Sequence, residues 1–302
     1  MNPLSPHGPF SILAYPYEGL IPVDEPQGVV HSAAAPPGSA MVWDLSKRCR
    51  RRDIPAVSGR PPGMALILVL PPSERITQKT PLLEISELCR PSAILPFHPR
   101  LDPEDLTDLL RAGPDDLPLA VTDFLRFRGI RVDRDTRHLI RRTVELSREI
   151  RTVQGLSRAL YLSRRALGRR FVSQRLPVPS HWLQISRLLR AAIQLQRQRH
   201  TLDAVAVALG YPDGFSLSNQ MDRLTGFRPS VARERLGWEW LLEAWLRVEQ
   251  RGGSLELPTR TSLVPGGKRA RRTPPANGQP PRSSQVAHPW RGTRMTLDRS
   301  ER

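Results

Sequence analysis

Cysteine is almost missing from this sequence: Cys49 and Cys89 are the only two in 302 residues. Two thiols cannot build a disulfide framework, and these lack the spacing of a thiolate metal site, so both read as reduced structural residues. Long apolar runs are missing too. The longest, residues 64–70, has seven residues, whereas a spanning helix needs about 20. The N-terminus has neither the basic start nor the apolar stretch of a signal peptide. No membrane partner is therefore expected, and the expected location is the cytoplasm. Lysine is scarce, with Lys47, Lys79 and Lys268 the only three among 46 basic residues. Paired carboxylates, a nucleophile triad, a metal-ligating cluster and a phosphate-cradling loop are all absent as sequence patterns. The expectation is a protein that is not an enzyme and needs no cofactor or metal.

What is present is positive charge, unevenly spread. Residues 1–135 carry 15 basic and 17 acidic side chains, residues 136–250 carry 20 and 9, and residues 251–302 carry 11 and 3. The net charge of +17 thus arises in the C-terminal half. A step of this kind points to a polyanionic partner for that half.

Residues 1–63 are rich in Pro, Gly and Ser and show no sustained period, so they read as a disordered segment. The run Lys47, Arg48, Arg50, Arg51 and Arg52 within them reads as a solvated linker. Residues 64–135 read as a small α/β unit. Strand candidates are 64–70, 93–97 and 117–121; helix candidates are 81–89 and 103–111, the latter with Pro103, Glu104 and Asp105 in its first turn. Thr122 or Asp123 would cap a helix after the third strand. Alternating elements predict parallel strand pairing. Asp123 at a strand end has the placement of a phosphoacceptor aspartate, but the acidic neighbours needed to hold magnesium are missing, and it reads as a cap. His98 reads as structural.

From Thr136 the pattern is helical. Leu139, Ile140, Val144, Leu146 and Ile150 form one apolar stripe, with arginines around the rest. Two helix pairs then echo each other. Leu156, Leu160 and Leu162 recur as Val205, Leu209 and Tyr211 at an offset of 49, and Leu167 and Phe171 recur as Leu217 and Met221 at 50. Each copy has a first helix, a tight turn with Gly210 in the second copy, a cap (Ser163 or Asp213) and a second helix. Leu167 and Phe171 face inward, so Arg164, Arg165, Gly168, Arg169 and Arg170 face outward. Arginines there can pair with guanine edges or neutralise phosphates. A long helix over residues 180–197, with Trp182, Ile185, Leu188, Leu189 and Ala192 on its apolar face, joins the copies.

Residues 137–236 resemble the DNA-binding domain of the AraC/XylS family of bacterial regulators. The resemblance rests on Leu156-Ser157, Ser163-Arg164-Arg165-Ala166-Leu167-Gly168-Arg169-Arg170-Phe171, Trp182 and Arg187-Leu188. It continues through Val205-Ala206, Gly210-Tyr211, Asp213, Leu217, Arg223, Thr225-Gly226-Phe227, Pro229-Ser230 and Arg233. It implies a seven-helix module of two helix-turn-helix units. It also implies base contacts at Arg165, Gly168 and Arg169 in the first unit and at Phe215, Ser216 and Asn219 in the second. Departures are Ser157 for alanine, Leu176 for glycine, Asn219 for arginine, Met221 for phenylalanine, Asp222 for a basic residue and Ala232 for an aromatic. The second unit has lost positive charge, so the first is expected to supply most of the specific affinity, with Asn219 able to read adenine. Beyond the module, Trp238, Trp240, Leu241, Leu242, Trp245 and Leu246 predict a further helix that completes a core. Residues 251–302 read as a disordered basic tail.

The expected fold is mainly α: a small α/β unit, then a double helix-turn-helix domain over 136–250, flanked by disordered ends. The expected function is a transcription regulator that binds double-stranded DNA in successive major-groove turns, with RNA polymerase a candidate protein partner and any small-molecule effector unidentified. The alternative is a degenerate regulator acting as a protein-interaction module through the α/β unit or the tryptophan helix.

Overall fold

The computed structural model describes residues 8–26, 38–76, 81–197 and 200–258. Among them are five strands and twelve α-helices. The basic tail lies almost wholly outside the described residues.

The N-terminal layer is a five-stranded sheet of order β2-β1-β3-β4-β5, formed by β1 (Phe10–Leu13), β2 (Leu20–Val23), β3 (Ala40–Asp44), β4 (Ala65–Val69) and β5 (Ala93–Leu95). β3, β4 and β5 run parallel, while β1 pairs antiparallel with both β2 and β3. The side-chain period of two divides its residues between two cores. Phe10, Ile12, Met41, Trp43, Leu66 and Leu68 face α1 (Ile54–Ser58) and α2 (Leu82–Cys89). Leu13, Val42, Ile67 and Val69 face α3 (Pro103–Ala112). Helices on both faces explain why β3 and β4 are buried along their whole length.

Three expectations are corrected here. Within the segment read as disordered, the described residues 8–26 and 38–63 are ordered: they supply β1, β2, β3 and α1. Their apolar residues are sparse, but Phe10, Ile12 and Trp43 are fully buried once the strands pair. Residues 117–121 are not a strand but the first half of α4 (Leu117–Phe127). Asp116 accepts a hydrogen bond from the Leu119 amide and Pro118 sits in the first turn, a start signal for a helix. Leu117, Val121, Phe124 and Leu125 then fall on one buried helical face. Asp123 is therefore neither at a strand end nor a cap. Finally, the sheet is mixed rather than parallel throughout, because β1 and β2 come from the segment read as unstructured.

The helical part follows: α5 (Arg134–Leu146), α6 (Val153–Ala159), α7 (Arg164–Ser173), α8 (Pro179–Gln196), α9 (Leu202–Ala208), α10 (Gly214–Thr225), α11 (Pro229–Arg233) and α12 (Glu239–Arg251). Its core runs from Leu117 to Leu255 and is centred on α8, whose Trp182, Ile185, Leu188, Leu189 and Ala192 are all buried. The tryptophan helix α12 closes this core: Trp182 and Trp245 meet edge to face with ring centroids 4.8 Å apart.

Three buried carboxylates on α12 hold it in place. Glu239 accepts from Ser92 (2.8 Å) and the Trp238 amide (3.0 Å), and pairs with Arg90 at 3.4 Å. Glu243 pairs with Arg128 at 3.0 Å. Glu249 accepts from the Trp245 indole (2.9 Å) and meets the His181 ring at 2.8 Å. The sheet joins the same corner: Tyr17 donates to the Glu234 carbonyl at 2.7 Å, and the Leu236 amide donates to the Gly38 carbonyl at 3.0 Å.

Candidate nucleic-acid interface

The two helix pairs repeat atom by atom. At the end of α6, the Leu160 amide donates to Leu156 (3.0 Å), Tyr161 to Arg158 (3.0 Å) and Leu162 to Ser157 (2.9 Å). At the end of α9, Leu209 donates to Val205 (3.1 Å), Gly210 to Val207 (2.9 Å) and Tyr211 to Ala206 (2.8 Å). Every donor and acceptor differs by the same 49 positions. Both turns need a left-handed residue; Gly210 has φ +74° and Tyr161 φ +55°. Glycine adopts this freely, whereas a tyrosine does so at a cost of roughly 1–3 kcal/mol.

Side-chain caps start the second helix of each pair. The Ala166 amide donates to the Ser163 hydroxyl at 3.1 Å, and the Ser216 amide to Asp213 at 2.7 Å. This bond holds the Asp213 carboxyl below its ordinary pKa. Asp203 accepts from the Gly214 amide at 2.8 Å, giving α10 a second anchor.

Packing then fixes which face of α7 is outward. Leu167 and Phe171 are fully buried, as are Leu217 and Met221 on α10. Truncating such a phenylalanine to alanine costs about 3–5 kcal/mol, so this pair, not surface charge, sets the rotation of α7. The consequence is that Arg164, Arg165 and Arg169 are exposed. Gly168 lies among them, and a Cβ built on it would meet nothing within 4 Å. Nothing inside the protein requires a glycine there.

Arg170 behaves differently. It donates to Asp133 (2.9 Å), Asp135 (3.1 Å) and the Thr136 hydroxyl (3.1 Å) at the start of α5. Its guanidinium is committed within the molecule, clasping α7 to α5. The same Asp133 caps α5 through the Thr136 amide at 2.7 Å, and that bond, helped by Arg170, depresses its pKa.

On α10, Phe215 is 74% exposed, an unusual state for a phenylalanine. Asn219 is exposed and Ser216 half-buried beside it. Asp222 and Arg223 are exposed on the same helix, and Arg228 is exposed just beyond it. The second face is thus mixed in charge and partly apolar, whereas the exposed charges of the first, Arg164, Arg165 and Arg169, are all basic.

Sequence reasoning noted Arg187 only as a position of the family pattern, without a role, and missed Arg190; these two orient the helix pairs. On α8, Arg187 donates twice to the Leu209 carbonyl (2.6 and 3.2 Å), closing the C-terminus of α9, and its guanidinium lies 4.1 Å from the Tyr211 ring centre. One turn on, Arg190 donates to the Val144 carbonyl of α5 (2.7 Å) and to the Ser147 hydroxyl (3.2 Å). Burial, with Arg148 nearby, pushes Arg190 down to about 10. The available signal was two arginines three apart on a helix with no other Arg, Lys, Asp or Glu, but their partners lie 22 and 46 residues away.

The departures from the family pattern are accommodated locally. Ser157 is buried and its hydroxyl donates to the Gln154 carbonyl at 3.0 Å within its own helix. Met221, Leu176 and Ala232 fill core positions.

Among the described residues no group of His, Cys, Asp and Glu could hold a metal ion, and no helix is long and apolar enough to cross a membrane. No curated protein and no solved structure matches the chain. Residues 156–235, about a quarter of the chain, match the family model of a helix-turn-helix domain. These residues therefore form an AraC-like helix-turn-helix domain.

Proposed function

We propose that the chain is a sequence-specific transcription regulator of the AraC/XylS type, working on bacterial DNA in the cytoplasm. In this reading α7 and α10 enter successive major-groove turns, which requires recognition helices about 34 Å apart. The observation that carries it is the outward face of α7: three exposed arginines around a glycine that no internal packing demands.

Arg165 and Arg169 take the role of base readers, since an arginine can bond both guanine O6 and N7. Arg164 serves the phosphates. Gly168 leaves room for the duplex to approach the helix backbone. Arg170 was grouped with these from its spacing; its three bonds to α5 support a positioning role instead. On the second helix Asn219 can bond adenine, and Phe215 can pack against a thymine methyl. Double-stranded DNA is the partner, and RNA polymerase a candidate second one. The Pro- and Arg-rich residues beyond 258 would add affinity that depends on salt and not on sequence.

The alternative, an interaction module that no longer reads DNA, draws support from Asp222 and the mixed face of α10. Binding to duplex DNA measured against salt separates the two. The regulator reading predicts a steep fall of affinity with salt and a large loss when Arg164, Arg165 and Arg169 are all replaced by alanine. An affinity indifferent to that triple change would favour the alternative.

A further inference from the structure

A cavity of about 270 Å³ lies where the sheet layer meets the helical module. Its walls are Arg90 and Ser92 before β5, Leu110 near the end of α3, Asp123 on α4, and Trp238 and Glu239 at the start of α12. Small-molecule sites favour such junctions, with mostly apolar walls and a few placed polar groups.

The charges in this lining are not equivalent. Arg90 is paired with Glu239, and Glu239 is bonded twice more. Asp116, also in the wall, spends one oxygen on the Leu119 amide (2.7 Å) and has the other 3.7 Å from Arg141. Asp123 alone among these charged groups has no hydrogen bond or ion pair among the described residues. The residue is half-buried in the cavity wall, which leaves its carboxylate free to take an outside donor. Leu109, Leu119 and Ala120 belong to the same lining, are only partly buried or exposed, and offer an apolar surface.

We propose that this cavity binds a small primary amine with an apolar body, its ammonium group donating to Asp123. The volume suits a molecule of about ten heavy atoms, below the usual range for drug-sized ligands. Because α3, α4 and α12 all contribute walls, the ligand would bridge the sheet layer and the helical core. The inference goes beyond the regulator reading and does not rest on it.

The test is calorimetric titration of the full chain, without DNA, using 2-phenylethylamine and its neutral counterpart 2-phenylethanol. The amine is expected to bind at millimolar concentration or tighter. The alcohol is expected to bind at least about tenfold more weakly, as is the amine to the Asp123→Asn variant, which is the loss of one charge-assisted hydrogen bond. The variant should fold, since Asp123 holds no internal bond. Should it fail to fold, the amine and alcohol comparison on the natural chain still decides. No heat from the amine, equal binding of the alcohol, or undiminished binding to the folded variant would each overturn the proposal.

Discussion

Replacing Gly168 by alanine separates a residue kept for a partner from one kept for the fold. The glycine is inside α7, its backbone is not in the left-handed region, and an added Cβ meets no atom within 4 Å. Alanine there should stabilise the folded chain by about 0.5–1 kcal/mol, since an interior helical glycine costs that much relative to alanine. For a unit of this size the melting midpoint should rise by roughly 1–4 °C. DNA affinity should move the opposite way. A methyl group on the face between Arg165 and Arg169 would hold the helix off the groove floor and lengthen both arginine contacts. Losing even one good bidentate contact costs about 1–3 kcal/mol, or roughly five- to 150-fold. Thermal unfolding and fluorescence anisotropy on the same preparation read both effects. A variant that is more stable and binds DNA as tightly as before would show that this face does not approach DNA, and would refute the role assigned to α7.

Further outcomes follow from the same geometry. Arg169→Ala should lower affinity for the preferred sequence while leaving the melting midpoint alone. Arg170→Ala should do neither strongly, because its partly exposed clasp contributes about 1 kcal/mol or less; competition binding with matched and mismatched duplexes checks the pair. Arg187→Lys should destabilise the chain by about 2 kcal/mol, since lysine cannot reproduce the double bond to Leu209 or the stacking on Tyr211, and chemical denaturation would read this. Asp213, whose folded pKa is depressed by the Ser216 amide, contributes stability that is present above its ordinary value of 3.8 and lost as pH falls through the lower folded value. Asp213→Asn keeps a capping oxygen and should flatten that acid-side decline in a pH series of unfolding curves.

The helical pairs were legible because their signals are local. Ser163 and Asp213 cap helices a few residues away, Gly210 marks a turn at its own position, and the inward pair Leu167 and Phe171 lies within one helix. The sheet was not legible for the opposite reason. β1 has four residues, and its burial depends on pairing with β3, some 30 positions later. Residues 117–121 formed an apolar run that fits a strand or a helix, and the deciding features were the Asp116 cap and the further apolar residues Phe124 and Leu125. The tryptophans of α12 were read as core, and they are. Its buried Glu239 and Glu243, however, bond Arg90 and Arg128, more than 110 residues away, which no local pattern reveals; only the Glu243 pair with Arg247, one turn on, lies within reach of helix spacing. On the interface itself, spacing assigned all the outward residues of α7 to DNA. Only the contacts with Asp133 and Asp135 set Arg170 apart from Arg169 beside it.

Selection of the full chain against a library of random duplexes at near-physiological salt, followed by sequencing, tests the central claim most directly. The account predicts an enriched motif with guanines facing α7, and a second half-site about ten base pairs away, richer in A and T, facing α10. Retention of DNA with no enriched motif would contradict it, leaving the exposed arginines as a charged surface that binds without reading.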